Sequence, residues 1–312
     1  MKLGIFTVVF GGKKLEKVLE YVKSHGCDMI EIATGNMPGD EHCPIDELLG
    51  EHDALVKYKK MISDAGLEIS AFSCHGNPLH PIKEVREKHH DVFLKTVELA
   101  ERMEVGRVVN FSGCPGDSEH AKFPNWVIAA WPDEHFELLR WQWKEKVIPY
   151  WEKAVKFANQ HSIKKICIEM HPSFVVYNPY TLLKLREAVG DTIGANFDPS
   201  HLFWQGIDPL KAVKKLGKTI YHVHAKDTAI NNKNTELNGV LDTRPYTKHE
   251  DRSWIFRTVG YGHDISFWKD FVSVLQSVGY DDVLSIEHED QLMGVNEGFE
   301  AAAKNLNKAL GK

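Results

Sequence analysis

The chain reads as a single-domain α/β protein over residues 1–312, built as a closed barrel of eight β–α units. Three observations predict this. Short apolar, β-branched runs alternate eight times with amphipathic stretches of helical period. That alternation requires right-handed crossovers and a parallel sheet. The turn after the first run carries Gly11-Gly12 but no GxGxxG pattern, which weakens the open, doubly wound alternative with a nucleotide in its crevice. Barrels of this length are routinely one domain.

The strands are expected near 3–9, 28–33, 68–73, 107–112, 165–170, 193–197, 219–224 and 283–287. The apolar N-terminus lacks a long hydrophobic region and a small-residue cleavage site, and it meets Lys13 and Lys14 at once. It is therefore read as a first strand and not as a signal peptide. Leu15, Val18, Leu19 and Val22 stand at helical spacing, as do Leu55, Tyr58, Met61 and Ile62. Phe93, Val97 and Ala100 continue the rhythm, followed by Val147–Ala158 and helices over 179–189, 208–216, 265–278 and 296–310. Gly26, Gly66, Gly106, Gly190 and Gly279 are placed to close helices before the next strand. Two connectors, 112–135 and 227–263, are too long for plain turns. Both follow strands, so both belong over the mouth of a barrel. Their Trp and Phe content argues for ordered lids or subunit contacts.

The net charge is −6, and no basic block stands out, so neither nucleic acid nor an anionic membrane is favoured as a partner. No run approaches the roughly 18 apolar residues that span a bilayer. Five scattered cysteines without a CxxC pair fit a reduced cytoplasmic compartment.

Four of the strands end alike. Ile166-Cys167-Ile168 runs into Glu169, Ala195-Asn196-Phe197 into Asp198, Tyr221-His222-Val223 into His224, and Leu284-Ser285-Ile286 into Glu287. A buried strand is a costly place for a charge. Four such endings on parallel neighbours make sense if their carboxyl ends converge on one ion. Two Glu, one Asp and one His form a hard, mostly oxygen set suited to Mn or Mg, with Zn or Co tolerated. Asp198 before Pro199 also suits an Asx turn or helix cap. His201, three residues on, can face the same cavity as a further ligand or as a supporting hydrogen-bond donor. His222 shares a strand face with His224 but lies one layer deeper, as a hydrogen-bonded core histidine. Lys226 and Asp227 follow just above, with a solvated strand end as their plain reading. Glu31 ends strand two as a partial match to a site residue, with a helix or loop cap as the plain alternative.

The order Glu169, Asp198-Pro-Ser-His201, His222-Val-His224 and Glu287 resembles the xylose-isomerase-like TIM-barrel superfamily, and within it the sugar phosphate isomerase/epimerase family, with ketose 3-epimerases and inosose dehydratases. The resemblance covers essentially the whole chain. It implies Glu169, Asp198, His224 and Glu287 as ligands of one divalent metal. Glu169 and Glu287 would also be the acid–base pair on opposite faces of the substrate. It implies substrate contacts for His201 and for Arg257, whose segment Arg257-Thr258-Val259-Gly260-Tyr261-Gly262 is similar to an R-x-P-G-x-G loop with Val259 at the proline position. His75 and His171, just past strand ends, are further candidate substrate contacts. The aromatics Trp126, Trp131, Trp204, Trp254 and Phe256 would suit the apolar face of a sugar, with one or two of them touching it.

The implied activity is proton abstraction next to the carbonyl of a sugar or keto-sugar, through an enediolate, by an isomerase or epimerase. A lyase or dehydratase acting on a keto-sugar, inosose or 3-keto-glycoside is the alternative. An apurinic endonuclease would need extra His and Asp ligands that the chain lacks, for example where Asn110 and Phe111 end strand four. A non-catalytic sugar-binding protein would not need two carboxylates on one ion. Family members commonly pair, so a homo-oligomer is implied, and a second subunit completing the site stays open.

Overall fold

The strands form where apolar runs end in glycine turns or charge. The computed structural model describes residues 1–312. Eight strands are parallel: β1 (Lys2–Phe6), β2 (Met29–Ala33), β3 (Glu68–Ser73), β4 (Arg107–Phe111), β5 (Lys165–Glu169), β6 (Ile193–Phe197), β7 (Ile220–Ala225) and β10 (Val283–Ile286). They close in the order β1-β10-β7-β6-β5-β4-β3-β2. Two more strands, β8 (Asp227–Ile230) and β9 (Trp254–Arg257), pair antiparallel as a separate ribbon. Every residue of β2 and β6 is buried, the expected pattern for parallel strands covered on both faces.

The chain comprises two compact units. The first contains residues 1–31, 61–70 and 197–312. In it the register pairs Gly4 with Ser285, Ser285 with His224, and Phe6 with Glu31. Helix Leu15–Ser24 buries Leu15, Val18, Leu19 and Val22, the expected stripe. Helix Pro209–Leu216 starts on Asp208, whose carboxylate accepts the Leu210 and Lys211 amides, with proline at the first helical position.

The second unit contains residues 32–60 and 71–196. Here the register aligns Phe111 with Glu169 and Glu169 with Asn196, so the three stand in one row at the strand ends. Helix Pro179–Val189 opens with a reciprocal cap between Asn178 and Thr181. Losing that cap costs about 1 kcal/mol.

Three expectations are corrected. The first strand stops at Phe6, because Thr7–Phe10 turns into a 3₁₀ segment. The helix Lys83–Met103 ends on Glu104 in the left-handed region (φ 59°) and not on Gly106. The 227–263 connector is not a loop, since it contains β8, the helix Asn232–Asn238 and β9. Its core stacks Trp204 on Trp254 (4.6 Å), and the buried Arg252 guanidinium lies over Tyr246 and Trp254. The 112–135 connector lacks regular structure until Asp133 but is pinned. The buried Gln142, on a π-helical turn (Gln142–Val147), donates from Nε2 to the carbonyls of Pro115, Gly116 and Asn125 at 3.3, 3.0 and 2.8 Å.

Candidate metal centre

In the first unit, three of the expected ligands come together. Asp198, just past β6, is fully buried. Its Oδ1 accepts the Ser200 amide at 2.8 Å, which builds the Asx turn. Its Oδ2 faces Lys226 Nζ at 3.2 Å and His201 Nε2 at 3.3 Å, without the geometry of a hydrogen bond to either. One oxygen therefore makes the turn while the other faces the cluster, so the two readings of this residue are compatible. His224 Nδ1 lies 2.9 Å from Glu287 Oε2. Asp198, His224 and Glu287 each offer a ligand atom within 4.8 Å of the others.

Glu31 and Lys226 complete this cluster, which rules out the cap reading of the first and the solvated strand end of the second. Glu31 is the middle residue of β2 and fully buried. Both its oxygens lie 3.0 Å from His224 Nε2, and Ser285 Oγ donates to it at 2.7 Å. Lys226, 1% exposed, puts its ammonium 3.1 Å from Glu287, 3.1 Å from Glu289 and 4.6 Å from the Phe256 ring centre. His222 is the core histidine expected, fully buried with Nε2 3.3 Å from Ser70 Oγ.

Asp227 is likewise buried and not solvated. Its carboxylate accepts the amides of Gly260, Gly262 and His263 and the His263 imidazole. That arrangement accounts for the glycines of the Arg257–Gly262 segment. Gly260 has φ +94°, and a Cβ on Gly262 would come within 2.4 Å of the Thr228 carbonyl oxygen. Arg257 donates from Nε to Asp290 at 3.0 Å, and the Thr258 amide reaches the same oxygen at 2.8 Å. Burial pushes the Asp290 carboxyl up. The Thr258 and Leu292 amides and Arg257 outweigh it and hold the group below the usual carboxylate range. Of the five aromatics singled out, Phe256 meets both Lys226 and His201. Trp204 and Trp254 pack on each other, and Trp131 is 81% exposed.

In the second unit, Glu169 ends β5, nearly fully buried. Its Oε2 accepts hydrogen bonds from His75 Nε2 at 3.0 Å and from Asn196 Nδ2 at 2.9 Å. A carboxylate held by two donors on one oxygen has a fixed plane. His75 tilts against Phe111 (4.6 Å), which meets His171 edge-on (4.9 Å) and stacks on Phe174 (4.3 Å). His171 uses Nδ1–H for the Pro172 carbonyl.

The donor set fits a hard divalent cation. Asp198 and Glu287 gather around the Lys226 ammonium, with Glu31 behind His224, and burying carboxylates in excess of cations is costly. Moreover, a carboxylate cannot donate, so His224 carries its hydrogen on Nε2 toward Glu31. Nδ1 lies 2.9 Å from Glu287 Oε2, where it is either a second donor, as in an imidazolium, or a lone pair facing an acceptor. Two acceptors that close require a proton or a cation beside both.

A closed eight-stranded parallel barrel with helices between its strands defines a (β/α)₈ protein. Residues 19–309 match the family described as xylose isomerase-like TIM barrel, and the chain belongs to that family. It is 37% identical to the YfiH protein of Bacillus subtilis (strain 168) over 99% of both chains. Among solved structures it resembles a D-tagatose 3-epimerase-like protein (20% identity, TM-score 0.65, covering 100% of this chain and 99% of that one). It equally resembles the IolI protein with a bound zinc atom (20% identity, TM-score 0.65, 100% and 98% covered). At these identities the solved structures establish the fold. No helix is long and apolar enough to cross a membrane.

Proposed function

We propose that this chain is a divalent-metal-dependent isomerase or epimerase acting on a sugar or keto-sugar. Glu169, Asp198, His224 and Glu287 hold the metal, Mn or Mg foremost. The observation that carries the reading is the opposition of His224 Nδ1 and Glu287 Oε2 at 2.9 Å, beside the buried Asp198 carboxylate. The zinc atom in the IolI neighbour and the epimerase-like neighbour point the same way.

Bound there, the cation supplies Lewis-acid polarisation of a ketone and its neighbouring hydroxyl. Glu169, held in plane by His75 and Asn196, and Glu287 exchange the proton with the carbon next to the carbonyl, one as base and the other as acid. Positioned proton transfer of this kind contributes on the order of 10²–10⁴-fold in rate. The Lys226 ammonium is a fixed positive charge beside Glu287, and it would offset negative charge developing on a substrate bound there. His75 acts through Glu169, while His171, His201 and Arg257 remain the contacts for substrate hydroxyls. Return of the proton to the same carbon gives an epimer, and to its neighbour an isomer. Loss of a β-substituent gives a lyase. The buried free cysteines fit a reducing cytoplasm.

Incubation of metal-loaded protein with ketoses, inososes and 3-keto-glycosides in D₂O is expected to place deuterium next to the carbonyl of one class. Retention of every C–H bond across that panel, with about one divalent ion bound per chain, would show a binding protein instead.

A further inference from the structure

We infer that Glu31 is a positioning residue that sets the tautomer of His224, so that His224 meets the cation through Nδ1. The inference rests on the metal reading and deepens it. Glu31 contributes no atom to the proposed ligand set. It is nonetheless a carboxylate at the centre of the apolar strand Met29-Ile30-Glu31-Ile32-Ala33, with no exposed surface. A charge there persists only where specific partners require it.

Its partners converge on one ring. Both Glu31 oxygens lie 3.0 Å from His224 Nε2, and Ser285, the register neighbour of His224, donates to Glu31 Oε2 at 2.7 Å. Phe6, the register neighbour of Glu31, lies nearly parallel to the imidazole at 5.9 Å. The ring is thus held at its Nε2 edge by Glu31 and on one face by Phe6, with Nδ1 directed to Glu287. This is the carboxylate–histidine–metal arrangement, in which the outer carboxylate orients the ring and strengthens its donor nitrogen.

The alternative is that Nε2 is itself the metal donor, with Glu31 and His222 as fellow ligands. His222 Nε2 is 3.8 Å from Glu31 Oε2, and the three groups are close enough to share an ion. Ser285 argues against it. Its hydroxyl already occupies Glu31 Oε2, and two short donors satisfy the carboxylate without a metal.

The test uses full-length protein labelled with ¹⁵N-histidine and loaded with ¹¹³Cd²⁺. The expected result is cadmium coupling to Nδ1 of His224 and a protonated Nε2. Coupling to Nε2 overturns the inference and leaves the metal reading standing. An Glu31→Gln variant is expected to bind Mn²⁺ about 10–100-fold more weakly than wild type, and Ser285→Ala to weaken it less. Unchanged Mn²⁺ affinity in a folded Glu31→Gln protein also overturns the inference alone. If Glu31→Gln fails to fold, the wild-type coupling decides. Wild-type protein that binds neither Cd²⁺ nor Mn²⁺ overturns both readings together.

Discussion

Replacing Lys226 by methionine removes the ammonium that lies 3.2 Å from Asp198, 3.1 Å from Glu287 and 3.1 Å from Glu289, while keeping most of the side-chain volume over Phe256. At an effective dielectric of about 20, each contact near 3.1 Å is worth roughly 5 kcal/mol of Coulomb attraction. Desolvation of the lysine cancels much of the sum. Removing one partner of a buried ion pair costs about 3–5 kcal/mol, because the other charge stays buried. Glu289 is half exposed and adds little. Lys226→Met is therefore expected to lower unfolding free energy by about 3–5 kcal/mol in chelator. With saturating Mn²⁺ the loss is expected to shrink, since a cation bound only by the folded state stabilises it by mass action and compensates the same carboxylates. Urea titrations followed by circular dichroism, with EDTA and with Mn²⁺, measure both. An equal loss under the two conditions would refute the assignment of these carboxylates to a cation site.

Two further perturbations test the loops. Gln142→Leu removes the donor that pins the Pro115, Gly116 and Asn125 carbonyls. Pro115 keeps the Asn125 amide at 2.8 Å, and each buried carbonyl left without a donor costs about 1–3 kcal/mol. Amide exchange and proteolysis should accelerate within 112–135 and not elsewhere, and global unfolding without local loosening would count against the pin. Asp290→Asn is expected to cost about 1–3 kcal/mol at neutral pH by weakening the Arg257 and Thr258 contacts. Because the folded Asp290 pKa is lowered, its contribution is fully present above the unfolded carboxyl value near 3.9 and is lost as pH falls through the lower folded value. The stability gap between wild type and variant should be flat from about pH 5 to 8 and narrow below about pH 4. A gap that widens on acidification would reverse the sign of the argument.

The eight-unit rhythm was legible because apolar period distinguishes a strand from an amphipathic helix, and Leu15, Val18, Leu19 and Val22 show how directly period becomes a buried face. The strand-end carboxylates and His224 were legible for a second reason, the cost of ending an apolar run in a charge. Glu31 could be named on the same strand-end ground, but nothing local to β2 gave it His224 as a partner. Lys226 and Asp227 were misread because a charged pair after a strand is usually solvated. Only the return of Gly260, Gly262 and His263 onto Asp227, and of Glu287 onto Lys226, buries them. The ribbon of β8 and β9 was hidden because 23 residues separate its strands and its pairing is closed by a tryptophan stack.

By itself, then, the sequence determined the parallel α/β architecture and which charged residues end its strands, because both follow from local periodicity and the cost of burying charge. Tertiary structure alone decided which nitrogen of His224 faces which carboxylate, which lysine enters the cluster, and how Asp290 holds Arg257. Those are relations between groups up to 193 residues apart, as for His224 and Glu31. Strand register, and not residue identity, sets such distances.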